Sequence, residues 1–413
     1  MLGEARPHDV VVIGAGFCGL GAGAALRARG VRRFEILEQG GQVGHFWTRT
    51  YDRIHLHSAF HDLPDDGGLR RRYGIFLSRN QLLEYFQRYA ERHELAPHLR
   101  LGERVARVKR IDPSSTDGAE WEIESSTGTR RARYLVVATA MNRVPKWPDP
   151  AIPGREAFRG QVLHSAEYRN AAPFRDASVL VVGSGNSAAE ISLDLVQGGA
   201  RAVAMWVRGP RHFVPLSRMA VLFRLLRFLG QLAPAKLALL HRVSFGTPEF
   251  ERIIAQRDRV LTRFSVDLSR YGIVKPSEGP GTQTFLRGRI PTFDVGAIRE
   301  IRSGAIRVID GNARPIERFE DEGLRFADSS ERFDAVVFAT GFDPALDEFI
   351  ADGELLGPVR WHPRLPLTDG RARSRIYPSI FFPGFDTTPL GGVSLGYWGH
   401  EVGERIAAEL AGG

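Results

Sequence analysis

Two glycine-rich turns, each between an apolar run and a small-residue helical stretch, and a late return of strand pattern predict an α/β chain of two dinucleotide-binding, Rossmann-like domains. The first turn is Gly14-Ala-Gly16-Phe-Cys-Gly19 and the second is Gly183-Ser-Gly185-Asn186-Ser187-Ala188.

Asp9 to Ile13 is a continuous apolar run after its first residue, the pattern of a parallel strand covered on both faces. Gly14 permits the tight turn that follows. Gly16 lets backbone N–H groups approach a pyrophosphate that a Cβ would repel, and Gly19 lets strand and helix pack closely. The helix expected from Leu20 to Arg29 then points its positive end at the phosphates. A second strand, Phe34 to Leu37, runs into Glu38, which lies 19 residues beyond Gly19 and fits the acid that accepts an adenosine ribose hydroxyl.

The second turn repeats this grammar with a different ending. Ser178 to Val182 reads as its strand and Ser187 to Gln197 as its helix, with Ala188 in place of the third glycine. The next strand, Ala202 to Val207, runs into Arg208. A carboxylate there would accept from a bare ribose hydroxyl, whereas a guanidinium pairs with a 2′-phosphate, so the residue favours NADPH over NADH. A solvated strand end in a basic chain remains the other reading of Arg208.

Arg133 to Ala140 and Phe333 to Gly341 are buried-strand patterns that both end in Ala-Thr and a small residue, as expected where one domain hands the chain to the other. Asn142 to Pro153 is a proline-rich extended connector. Ile380 to Asp386, then Gly391-Gly-Val393 and a last helix, return to the first domain, so the second domain is inserted in it. The expected boundaries are 1–144 for the first part of domain one, 145–341 for domain two with a helical excursion at about 216–280, and 342–413 for the return.

At 413 residues, 43% apolar and 25% charged, the chain has the usage of a large globular enzyme. Its net charge of +8 comes from dispersed arginines without a basic block interleaved with aromatics, which argues against nucleic acid and suits polyanionic cofactors. The single cysteine, Cys18, excludes an intrachain disulfide and a Cys-x-x-Cys pair. No apolar leader precedes the first strand, so a cytoplasmic location is expected. Leu216 to Val243 is apolar but broken by Arg218, Arg224, Arg227 and Pro234, which argues against a membrane span. Leu222, Leu225, Leu226 and Leu229 form an apolar stripe. A helical cover over a substrate pocket is expected here, with peripheral membrane contact or a homodimer face as the other readings.

Phe158-Arg-Gly160-Gln-Val-Leu-His164-Ser-Ala-Glu-Tyr168 resembles the F-x-G-x-x-x-H-x-x-x-W/Y signature of class B flavin-dependent monooxygenases, in which one chain carries FAD and NADPH. Thr50 to His57, Arg208 to Pro215, Gly279-Pro280 and Ile290 to Gly296 resemble the YUCCA-type branch and its bacterial relatives. The resemblance implies that Gly14, Gly16, Gly19 and Glu38 hold FAD, with Trp47 beside the isoalloxazine. It implies that Gly183, Gly185 and Arg208 hold NADPH, with Asn186 and Ser187 in the same turn, and that His164 and Tyr168 shape the linker and orient that cofactor. The implied activity uses O2 through a flavin C4a-(hydro)peroxide to oxygenate a small organic substrate, either an N or S nucleophile, a ketone or a 2-oxo acid.

The chain departs from the family pattern at Ala140, where glycine is usual. Many animal-type members place an asparagine near the flavin after the first domain's second strand, where this chain offers His55, His57, Ser58 and His61. His57 and Asn142 are the candidate catalytic residues, against plainer readings as a loop histidine and a turn cap. No Ser/His/Asp array, metal-spaced cluster or paired carboxylate is apparent in the sequence. An NADPH-dependent flavin oxidase or dehydrogenase without oxygen insertion is the alternative function, and a nucleotide-sensing module without turnover is the non-enzymatic one. A flavin disulfide reductase is excluded by the single cysteine.

Overall fold

Val10, Val11 and Val12 are fully buried because their strand is paired on both edges and packed on both faces. The computed structural model describes residues 7–57, 72–73, 76–111, 120–221, 247–359, 362–385 and 395–412. Among these residues the first sheet has seven strands. They are β1 (His8–Ile13), β2 (Phe34–Glu38), β3 (Leu99–Leu101), β4 (Val105–Arg110), β5 (Trp121–Ser125), β6 (Gly128–Val137) and, far along the chain, Ile380–Phe381. The order is β3-β2-β1-β6-β5-β4, and Ile380–Phe381 pairs in parallel with β6.

Alternation along β1 sorts its side chains. Val10 and Val12 face a helical layer that includes α1 (Phe17–Ala28), while Val11 and Ile13 face a cluster with Leu346, Phe349, Leu356 and Phe382. α2 (His45–Thr48), α3 (Arg79–Arg92) and a short 3-10 turn at Ala96–His98 precede β3.

The second sheet is all parallel. Its strands are β7 (Gln161–His164), β8 (Ser178–Val182), β9 (Ala202–Val207), Ile306–Asp310 and Ala335–Phe338. β8 lies at the centre between β9 and Ala335–Phe338, and the two outer strands flank these. Val179 and Val181 pack with α4 (Asn186–Gln197), and Leu180 and Val182 pack with Phe319, Leu324 and Phe326. Every strand of this sheet lies in the chain between β6 and Ile380–Phe381, so the second sheet is an insertion in the first, as the sequence predicts.

Both helices that follow the glycine turns begin earlier than expected, α1 at Phe17 and α4 at Asn186, because Gly16 and Gly185 are themselves the N-caps. The excursion also contains strand: β10 (Phe213–Pro215) pairs in parallel with β11 (Thr292–Asp294). Residues 216–221 are helical, followed among the described residues by α5 (Pro248–Leu261) and α6 (Pro280–Arg287). Leu222, Leu225, Leu226, Leu229, Arg224, Arg227 and Pro234 lie outside the described residues, as do Ser58, His61 and Gly391 to Val393.

α7 (Ala297–Ser303) supports the second sheet, and α8 (Leu395–Gly412) returns to pack along α1. Small residues permit that approach: a Cβ on Gly399 would run into the Cys18 carbonyl, and one on Gly403 would meet the Ala22 carbonyl at 2.5 Å. Among the described residues, no helix is long and apolar enough to cross a membrane.

Candidate active site

Gly14 turns with φ +103°, and a Cβ on it would sit 2.7 Å from the Ala138 carbonyl oxygen. At Gly16 the opposite holds, because a Cβ there would meet nothing within 4 Å. Gly16 faces open space at the head of α1, whose first turn has no acidic residue and no side-chain cap. The leading N–H groups of the helix are therefore available to an anion. Glu38 closes the turn: Ala15 N–H donates to Oε2 and Gly40 N–H to Oε1, both at 2.9 Å. Each carboxylate oxygen keeps a lone pair that a ribose hydroxyl could use. Trp47 lies half-buried on α2, packed against the helical layer of the first sheet.

The second turn has the same construction. Gly183 takes φ +138° against the Ala339 carbonyl, and Gly185 has open space where a Cβ would stand. α4 likewise begins without an acidic first turn or a side-chain cap. The Asn186 Oδ1 accepts from Phe293 N–H at 2.7 Å, and the Thr292 hydroxyl donates to the Ser184 carbonyl at 2.6 Å, which ties β11 to the turn. The Arg208 side chain is exposed at the end of β9, and its carbonyl accepts from Asn312 Nδ2 at 2.5 Å. These two turns fit two nucleotide pyrophosphates: both offer an uncapped helix end and an open glycine.

Between the turns, residues 49–57 dock on the second sheet's helix. His57 Nε2 lies 2.7 Å from Oε1 of Glu190, which is 1% exposed on α4. The Tyr51 hydroxyl is hydrogen-bonded to Ser187 and to the Glu190 carboxylate, and burial with that negative charge holds the phenol well above its usual pKa. Arg53 reaches Asp194 at 3.4 Å and Gln197 at 2.9 Å, and Tyr168 donates to the other Asp194 oxygen at 2.7 Å. Desolvation and Asp194 push the Tyr168 hydroxyl far up from its usual pKa, so it stays a donor. His55 turns instead to the Arg53 carbonyl, at 2.7 Å.

His164 is fully buried where the chain crosses between the sheets, 5.6 Å from the Trp147 ring and 5.2 Å from that of Phe342. Its Nδ1 accepts from Ala166 N–H at 3.1 Å, and Gly341 backbone faces the ring. Burial pulls its pKa below the usual imidazole value, and the Gly341 and Glu167 contacts offset this only in part. At the same crossing Ala140 adopts φ +60°, the left-handed region that Gly341 occupies at +87° in the second crossing. Alanine thus follows the path of a glycine with its own backbone strain. Asn142 is exposed just beyond.

The structure therefore brings Asn186, Ser187, His57 and Tyr168 around α4 and its docking loop. It leaves Asn142 and Arg208 at the surface and His164 in the crossing. Sequence reasoning missed Tyr51, Glu190 and Asp194. The available signal was the spacing of Ser187, Glu190 and Asp194, which share one face of α4 at three and four residues.

Two sheets with parallel cores, the first extended by an antiparallel pair of strands, and each with a glycine turn leading into a helix, define the class of two-nucleotide oxidoreductases. Residues 11–214 match the family model described as pyridine nucleotide-disulphide oxidoreductase. The only thiol, Cys18, is buried, which pushes its pKa up to about 12, so no dithiol centre exists in this chain. The probable indole-3-pyruvate monooxygenase YUCCA1 of Arabidopsis thaliana is 31% identical over 366 residues, 84% of this chain and 78% of that one. The indole-3-pyruvate monooxygenase YUCCA8 of Oryza sativa subsp. indica is 34% identical over 368 residues, again 84% and 78%. A crystal structure of OTEMO in complex with FAD and NADP superposes with a TM-score of 0.68 at 18% identity, covering 99% of this chain and 87% of that one. The chain belongs to the class B flavin-dependent monooxygenase family, whose members pair FAD with NADPH, and it is an oxidoreductase of that class.

Proposed function

We propose that this enzyme binds FAD in the first turn and NADPH in the second and oxygenates a small carbonyl substrate, with an aromatic 2-oxo acid such as indole-3-pyruvate as the first candidate. The observation that carries the reading is the pair of open glycines, Gly16 and Gly185, each capping a helix that lacks both an acid and a side-chain cap. The substrate class is supported by the relatives named for indole-3-pyruvate.

In this reading Gly14, Gly16, Gly19, Glu38 and Trp47 hold the flavin nucleotide, and Gly183, Gly185, Asn186, Ser187 and Arg208 hold NADPH. Residues 1–144 and 342–413 form the FAD domain around an NADPH domain of 145–341. The bound flavin supplies the redox and oxygen-activating chemistry. The chain's own part is to bind, orient and exclude water. The N–H groups at the heads of α1 and α4 meet the pyrophosphates, and Glu38 accepts from a ribose. His164 and Tyr168 fix the crossing and the face of α4 against which the docking loop closes. O2 and the organic acid are the remaining partners, and a cytoplasmic setting is the expected one. Membrane contact or a dimer face would rest on the apolar stripe Leu222, Leu225, Leu226 and Leu229 within Leu216 to Val243, and that stripe lies outside the described residues.

The test has two stages. Anaerobic NADPH should bleach the yellow protein. Reaction with indole-3-pyruvate under 18O2 should then place one labelled atom in the carboxylate formed as CO2 leaves, and the other in water. Stoichiometric H2O2 without labelled product, across a panel of 2-oxo acids and ketones, would favour the oxidase alternative. Failure of NADPH to bleach the flavin would remove the second turn from the reaction.

A further inference from the structure

Arg211 stands three residues past Arg208, and it turns back toward the second glycine turn. Its Nε donates to the Ser184 hydroxyl at 3.4 Å, and Nη1 donates to the Ile290 carbonyl at 2.8 Å. Ser184 is the residue between Gly183 and Gly185, and Ile290 opens the segment in which Thr292 and Phe293, two and three residues on, bond to Ser184 and Asn186. The guanidinium is thus held between the nucleotide turn and the strand that flanks it.

Its surroundings are one-sided in charge. Among the described residues no carboxylate pairs with Arg211, and the charge that acts on it is another cation, Arg289. Burial, with Arg289, pulls its pKa down to about 10, so it remains protonated at neutral pH. A partly buried guanidinium with neutral partners and a like charge beside it is costly unless an anion completes it. Arg208, in contrast, projects into solvent at the strand end.

We propose that Arg211, flanked by Arg289, is a phosphate-contacting residue of the second nucleotide site, held in place by Ser184 and Ile290 before the nucleotide arrives. The ligand chemistry is a nucleotide phosphate, either the 2′-phosphomonoester or the pyrophosphate. A guanidinium fork suits both, and the loop after β9 lies toward the ribose end while Ser184 lies in the turn itself. The assignment deepens the NADPH reading above and rests on it.

Calorimetric titration of the full-length yellow protein with NADP+ and with NAD+ tests it without turnover. Arg211→Gln should weaken NADP+ binding about 10- to 100-fold, the effect of losing a charged hydrogen-bonding partner. Arg211→Lys, which keeps the charge but not the fork, should recover part of the loss. A loss confined to NADP+ assigns the contact to the 2′-phosphate, and an equal loss for NAD+ assigns it to the pyrophosphate; either supports the proposal. Unchanged dissociation constants in a yellow Arg211→Gln protein overturn it. Should that variant not fold, an unchanged NADP+ constant in a yellow Arg211→Met protein does the same. A wild-type protein that binds neither nucleotide overturns the two-nucleotide reading itself, and this assignment with it.

Discussion

His57 and Glu190 join the two halves of the molecule: an imidazole on the loop that follows the first glycine turn meets, at 2.7 Å, a carboxylate in the helix that follows the second. The contact engages Nε2, so a contact to a flavin would have to come from Nδ1. His57→Ala leaves Glu190 buried with Tyr51 as its remaining named partner, and should cost about 2 kcal/mol in urea unfolding. Adding Glu190→Leu should give back part of that loss, because the stranded charge is gone. Strictly additive losses in the double mutant would show that the pair is not coupled.

Gly16 and Gly19 should separate binding from folding. Gly16→Val adds a side chain to open space, so the protein should fold and melt normally yet purify without yellow colour. Gly19→Val drives a Cβ into the Gly14 carbonyl and should not give soluble folded protein. A yellow Gly16→Val enzyme would remove the first turn from flavin binding.

Ala140 takes φ +60°, a conformation that costs an alanine more than a glycine. Ala140→Gly should raise stability by about 0.5–1 kcal/mol, read as a higher urea midpoint at unchanged slope. A lower midpoint would mean that the methyl group contributes packing that outweighs the strain.

Three imidazoles, His8, His164 and His212, have pKa values lowered mainly by burial. Below their ordinary value of 6.5 the unfolded chain takes up protons that the folded chain resists. Stability should therefore be complete above about pH 6.5 and decline as pH falls through it, by at most about 1.4 kcal/mol per pH unit for each group. His212 is held by Ser265 Oγ at 2.9 Å and the Glu278 carbonyl at 2.8 Å. His212→Asn should show a shallower loss between pH 7.5 and 5.5 than wild type, and parallel curves would exclude His212 as a contributor.

Arg208→Ala should raise KM for NADPH about tenfold while leaving that for NADH nearly unchanged, if the strand-end guanidinium reaches the 2′-phosphate. Equal effects on both would place Arg208 outside that contact and leave Arg211 as the candidate.

The strands and turns were readable because a doubly covered parallel strand writes an uninterrupted apolar run, as in Val10 to Ile13 and Val179 to Val182, and because a turn with positive φ packed against a backbone carbonyl, as at Gly14 and Gly183, demands glycine. The two Ala-Thr crossings disclosed the insertion for the same reason. Helix starts were missed by one or three residues because Gly16 and Gly185 serve as caps without a polar side chain to announce them. The pairing of β10 with β11 was hidden, since Phe213 and Thr292 are distant in sequence and three-residue strands carry almost no period. Tyr51, Glu190 and Arg211 were illegible as partners, because a single long-range contact leaves no local pattern around either residue.

The nesting of the sheets also sets an order of completion. A chain leaving the ribosome has every strand of the inner sheet once Phe338 emerges, but Ile380–Phe381 and α8 are still to come. Until Gly399 and Gly403 seat against α1, the helix that heads the first nucleotide turn lacks its backing. The turn encoded nearest the start is thus the later one to be backed, because α8 reaches α1 only after the inserted unit already has its full set of strands.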